Sequence, residues 1–335
     1  MRRWIILAAS LVVSVVFLWL ALRDVPLTEV LNGIRQADPL WIVLSFVGVF
    51  GALAGRAVLW RGLLDNRLSL VHSFHILNIT MMLNQLPLRA GEVVRTLLTT
   101  RYNIPVVTAA TSIVVERLLD VVTVVVILAI GLTRLPNAPP GMAQAAELFG
   151  AAAVIAFVVM VSFARYPQIA DRVLIWLENR LPMLKRLNLQ TRADEVLDGL
   201  RPLTHARRAI HAIVWEIISW SFSLITFYCL ERALGIQNVD LGLMMLLGVS
   251  LASFSIAIPV SVAAIGPFEG AVRVAGNAVN MSAVAATTLG FLFHGITVLG
   301  YAFWGVIGLV ALGVSFGDVF TQRESTQNLH STTPE

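Results

Sequence analysis

Long stretches of this chain carry no charge, and two of its apolar runs are cut by proline. No Asp, Glu, Lys or Arg occurs from Trp4 to Leu22, from Leu241 to Phe268 or from Val274 to Gly317. A helix needs about 20 apolar residues to cross the hydrocarbon core of a bilayer. In lipid every backbone polar group must find a partner within the protein, which favours helices. With 57% hydrophobic and 13% charged residues, the chain reads as an all-α polytopic membrane protein, not a soluble one. Its net charge of +4 comes from basic residues that flank the apolar runs, which argues against nucleic acid as a partner. Cys229 is the only cysteine and lies in an apolar run, so neither an internal disulfide nor a thiolate metal site is expected.

Trp4–Leu22 follows Met1-Arg2-Arg3 and reads as an uncleaved first span with a cytoplasmic N-terminus. Asp24–Asp38 reads as a short polar connection and Leu40–Leu59 as the second span. Arg56, near the end of that span and close to Arg61 and Arg67, reads as an interfacial side chain reaching for the cytoplasmic surface. Val71–Leu86 is short for a span and is cut by Pro87; an amphipathic piece from Arg89 to Thr100 follows. A single crossing there would put Arg89, Arg95 and Arg101 outside, whereas a re-entrant hairpin returns them to the cytoplasm. Pro105–Leu135 is the next span, with Glu116 roughly 17 Å along it, close to mid-bilayer. A further span ends near Ala164. The basic segment 165–208 reads as amphipathic helices on the cytoplasmic surface.

The second half repeats this plan. It has a span from Ala209 to Leu234, an apolar piece interrupted at Pro259 and at Gly266-Pro267, a short helix with Glu269 and Arg273, and a long span. Alternation of sides makes the second hairpin enter from the opposite face, which is an inverted-topology repeat, the plan of many secondary transporters. The expected organisation is one transmembrane domain, 1–317, made of a first half (1–164), the connector (165–208) and a second half (209–317), followed by a disordered tail, 318–335. Both termini face the cytoplasm of a cell (inner) membrane.

Ionisable groups at membrane depth are costly, and in membrane proteins they are normally paired and functional. Arg89, Glu92 and Arg95 fall at i, i+3 and i+6, so Glu92 can meet either arginine along one helix face. Glu116 and Asp120 lie one turn apart, Arg117 can meet Asp120 at i+3, and Glu269 can meet Arg273 at i+4. One reading is that these pairs only fasten the bundle. The other is a polar cavity for an anionic headgroup, because a guanidinium presents two parallel donors to a phosphate. Asn84 adds an amide at the hairpin tip, and Gly91 sits between the charges. Glu116 and Asp120 are the candidates for proton coupling, with Asp120 held by Arg117. Glu216 and His294 read as hydrogen-bond partners within apolar spans. His72 and His75 lack a third ligand, so no metal site is expected.

AsnGlnLeuProLeuArgAlaGlyGluValValArg (84–95), GluArgLeuLeuAsp (116–120) and GlyProPheGluGly (266–270) together resemble the flippase-like family of lysylphosphatidylglycerol synthase transmembrane regions. Leu88 stands where that family usually has glycine, while Arg89, Gly91 and Glu92 keep register. The resemblance implies movement of a lipid between leaflets, with phospholipid, polyprenyl-linked or hopanoid lipids as the classes. It also raises lipid-synthesis enzymes as partners. In bifunctional members a soluble aminoacyl transferase follows the membrane part. None follows here, so no enzyme activity and no cofactor are expected. The rival readings are an intramembrane lipid-modifying enzyme and a non-transporting scaffold of a lipid- or glycolipid-synthesis complex.

Overall fold

In the computed structural model of the chain, the described residues are 25–86, 90–136, 141–180, 201–257 and 264–314, with isolated positions between 16 and 22. All regular structure among them is helical. Most of the Trp4–Leu22 span, Pro87, Arg89, Pro259, residues 181–200 of the connector and the 318–335 tail lie outside the described residues.

The stretch expected to be a polar connection holds a helix, α1 (Leu27–Arg35). Its start and end are written in the residues: Pro26 precedes it, Glu29 lies in the first turn and Arg35 in the last, each suited to the helix dipole. Leu27, Val30, Leu31 and Ile34 then fall on one face, and Val30 is buried. α2 (Pro39–Leu63) starts where Asp38 accepts from the Leu40 amide at 2.8 Å with Pro39 in the first turn. α3 (Leu70–Leu83) is capped by Ser69, whose hydroxyl accepts from the His72 amide at 3.1 Å. α4 (Gly91–Thr100) and α5 (Val106–Thr133) follow.

α6 (Met142–Arg165) ends the first half, and α7 (Pro167–Arg180) lies in the connector. The second half holds α8 (Ala206–Ala233), α9 (Leu241–Ala257), α10 (Pro267–Ala278) and α11 (Ala283–Leu312). The helices α2, α8 and α11, and Gln144–Arg165 of α6, are long and apolar enough to cross a membrane. α5 is as long but carries Glu116, Arg117 and Asp120. At 1.5 Å per residue α3 reaches only about 21 Å, short of a hydrocarbon core of about 30 Å.

α2–α5 and α8–α11 share an order of lengths: a long helix, a short apolar one, a shorter amphipathic helix and another long helix. Their packing matches too. α3 lies against α11 as α9 lies against α5, so the short apolar helix of each set packs on the last helix of the other. The two first helices, α2 and α8, form the most extensive helix pair. Small residues let their backbones close: a Cβ built on Gly55 would stand 3.3 Å from the Ser219 Cα. The Ser219 hydroxyl donates to the Ala52 carbonyl at 2.9 Å. α3 meets α11 just as closely at Gly305 and Gly308, where added Cβ atoms would lie 3.0 Å from the Asn78 carbonyl and 2.9 Å from that of His75.

A smaller apolar cluster gathers Leu59 and Leu63 of α2, Ala164, Ala170, Leu203 and Ala212. The end of α2, the α6–α7 junction and the start of α8 therefore share one end of the bundle. Arg208 pairs there with Asp65 at 2.7 Å. α7 leaves Ile169, Ile175 and Trp176 exposed, and α6 leaves Leu148, Phe149 and Ile155 exposed, faces suited to lipid.

Candidate functional site

The charges of α2, α4 and α5 meet inside the bundle as one network. Glu116 is wholly buried and faces three arginines: Arg95 Nη2 at 2.6 Å from α4, Arg56 Nη1 at 3.2 Å from α2 and Arg117 Nη2 of its own helix at 3.6 Å. Asp120, one turn further along α5, is held by both terminal nitrogens of Arg56, each at 2.7 Å. Arg117 Nη1 stands 3.0 Å from Asp120 Oδ2 and its Nε 3.2 Å from Glu92 Oε1. Across the bundle, the Trp220 indole of α8 donates to Glu216 Oε1 at 2.7 Å and reaches Asp120 Oδ1 at 3.3 Å.

Exposure changes along this network. The Arg95 and Glu116 side chains are 0% exposed, Asp120 and Arg56 12% and 15%, Arg117 and Glu92 39% and 46%. The Arg95 guanidinium lies over the Trp60 ring, its Cζ 3.9 Å from the ring centre, and the Trp60 indole donates to Ser112 Oγ at 2.9 Å. Arg95 nevertheless gives only one N–H to Glu116. Its Nε and Nη1 are buried and have no hydrogen-bond partner among the described residues.

α4 can present these groups because Gly91 brings it against the end of α3. A Cβ there would overlap the Thr80 carbonyl oxygen and stand 2.6 Å from Asn84 Oδ1. Asn84 itself caps the end of α3, and its Oδ1 is buried without a partner among the described residues.

The sequence spacing pairs Glu92 with the arginines of its own helix. The structure turns Arg95 inward to Glu116 and leaves Glu92 to Arg117 of α5. Arg56, read as reaching for the surface, instead turns into the bundle, half-buried, and joins Glu116 to Asp120. α5 offers it two carboxylates on the inward side of α2, which outweighs the pull of the interface. Its signal in the sequence was a charge inside an otherwise uncharged run. Glu216, Trp60 and Trp220 gave no signal of membership, since each lies on a span whose partner faces come from distant segments.

Glu269 is held in another way, at the start of α10. One carboxylate oxygen accepts from the Gly266 amide at 2.7 Å, closing the start of α10. The other lies 2.7 Å from Nδ1 of His294, whose ring stacks on Phe268 at 4.5 Å. Gly266 has φ of 95°, a left-handed conformation that suits glycine, and Pro267 opens the helix. Arg273 follows on α10, partly buried.

The model of the lysylphosphatidylglycerol synthase TM region matches residues 7–305, and the chain belongs to that family. No curated protein matches it.

Proposed function

We propose that this member of the lysylphosphatidylglycerol synthase TM-region family moves a lipid with a phosphate-bearing headgroup between leaflets, without chemically altering it. Arg95 carries the reading. It is a fully buried guanidinium with two nitrogens unpartnered among the described residues, in a network that runs outward through Arg117 to Glu92. A buried donor without an acceptor costs about 1–3 kcal/mol, and more when charged. An arriving phosphate oxygen would relieve that cost, and the planar fork suits it. Charges facing lipid tails are expensive, so the half-exposed Arg117–Glu92 pair marks the side on which water and a headgroup reach the network.

On this reading α3–α4 and α9–α10 are re-entrant hairpins that enter from opposite faces of an inverted repeat. The short length of α3 and the exchanged packing of α3 on α11 and α9 on α5 support it. Rocking of one half against the other about the close α2–α8 contact would then open the network to each leaflet in turn. Membrane lipids are the partners, and Arg89 and Arg273 belong with the candidate headgroup contacts.

The test is reconstitution into liposomes with a fluorescent short-tailed phosphatidylglycerol, its leaflet position read by chemical quenching. Wild type should move the lipid; Arg95→Ala should not, and Arg95→Lys should recover little, since an ammonium lacks the fork. Absence of movement by well-folded wild type refutes the reading, and chemical conversion of the lipid would mark an intramembrane enzyme.

A further inference from the structure

We propose that Asp120 is a tethered stand-in for the ligand, its carboxylate occupying the fork of Arg56 that an incoming phosphate takes over. The inference rests on the reading of this network as a headgroup site. Four donors from three helices converge on the two oxygens of this carboxylate. Oδ2 lies 2.7 Å from Arg56 Nη1 and 3.0 Å from Arg117 Nη1, while Oδ1 lies 2.7 Å from Arg56 Nη2 and 3.3 Å from Trp220 Nε1. Two parallel N–H donors on two oxygens of one anion is also the geometry in which guanidinium holds phosphate. Trp220 is only loosely committed to Asp120, because Glu216 accepts from the same N–H at 2.7 Å.

The two arginine–carboxylate pairs differ in a way that assigns them separate parts. Arg95 and Glu116 are enclosed and form the floor of the site, where Arg95 still has two nitrogens to offer a ligand oxygen, whereas Arg56 and Asp120 are each partly accessible. Displacement need not strand Asp120, because Arg117 sits one turn away on the same helix and already touches it. With the fork occupied from within, the three guanidinium groups of Arg56, Arg95 and Arg117 already face carboxylates of Glu92, Glu116 and Asp120, with Glu216 beside Trp220 as a fourth carboxyl group. Binding then becomes an exchange of one anion for another. A weak anion loses to the tethered carboxylate, while a phosphate carried on lipid tails has further contacts with which to win.

The experiment measures binding of two probes, inorganic phosphate and dihexanoyl phosphatidate, to the purified full chain by calorimetry. It compares wild type, Asp120→Asn and Asp120→Asn/Arg56→Lys, with thermal midpoints recorded for each. With the internal competitor neutralised, the phosphatidate should bind at least about tenfold more tightly, and restoring a single-point cation at 56 should erase that gain. No gain in folded Asp120→Asn overturns the proposal. So does a gain that survives Arg56→Lys, which would reflect net charge alone. A gain seen with both probes but stronger for the phosphatidate assigns the fork to a lipid headgroup. A gain confined to inorganic phosphate assigns it to free phosphate and overturns the lipid form of the proposal. If Asp120→Asn does not fold, Arg56→Lys alone decides: it keeps the charge and should weaken phosphatidate binding about tenfold, and wild-type affinity would overturn the proposal. Tighter binding by Asp120→Asn with no lipid movement by wild type in liposomes sinks the transport reading and leaves this one standing; movement by wild type with no gain in binding does the reverse.

Discussion

Replacing Gly91 by alanine adds one methyl group at the point where α4 touches α3. That methyl would overlap the Thr80 carbonyl oxygen and stand 2.6 Å from Asn84 Oδ1. Asn84 can turn away, but a carbonyl inside a helix cannot, so α4 must retreat by about 1 Å to restore ordinary contact. Overpacking of this kind costs about 1–3 kcal/mol, and a block made by backbone places it at the upper end. The retreat also carries Arg95 off Glu116, a contact of 2.6 Å. A misplacement of about 1 Å at a working site can cost on the order of a hundredfold in rate. Gly91→Ala should therefore lower the thermal midpoint in detergent and cut lipid movement far more than the loss of folded protein explains. The double variant Gly91→Ala/Asn84→Ala separates the two obstacles. If trimming Asn84 restores both stability and movement, the Thr80 carbonyl is not the block and the reasoning fails.

Glu116→Gln should destabilise the protein by about 3–5 kcal/mol, read as loss of folded yield and thermal midpoint, because it leaves Arg95 and Arg56 without their shared buried anion. Glu269→Ala should cost about 1–3 kcal/mol by uncapping α10 and unpairing His294, and an unchanged midpoint would deny that carboxylate its fastening role. Cysteines placed at Arg67 and Arg172 should resist an impermeant thiol reagent added to intact cells and react after permeabilisation; labelling of either in intact cells rejects the assigned sidedness.

The element plan of both halves is legible in the sequence, because charge-free runs, proline breaks and the short helices bearing Glu92 and Glu269 recur in order. α1 is hidden by its polarity: read as a linker, it shows its apolar stripe only when Leu27, Val30 and Ile34 are set at helical spacing. The charged residues of the network can mostly be picked out one at a time, but not their partners. Local spacing favours Glu92 with Arg95, yet the partner of Arg95 lies 21 positions further on and that of Arg56 lies 64 positions away. Such pairings are set by which helix faces which, and that is decided by small residues such as Gly55 and Ser219, whose part in the sequence looks no different from that of any other small residue in an apolar run.

The exchanged packing of the short helices has a consequence for biosynthesis. α3 finds its tightest seat on α11, where Gly305 and Gly308 admit the backbone of Asn78 and His75. That seat leaves the ribosome more than two hundred residues after α3, a wait on the order of 10–50 s at ordinary elongation rates. Until then α3, with Asn78 on a face that ends up fully buried, must be sheltered by the insertion machinery or by a provisional partner. A nascent chain arrested before α11 should therefore cross-link through α3 to the insertase, and release should follow emergence of α11 and not of α5. The first half of this protein is thus completed by a helix made long after it, which gives the cell's quality control a late checkpoint for chains truncated before α11.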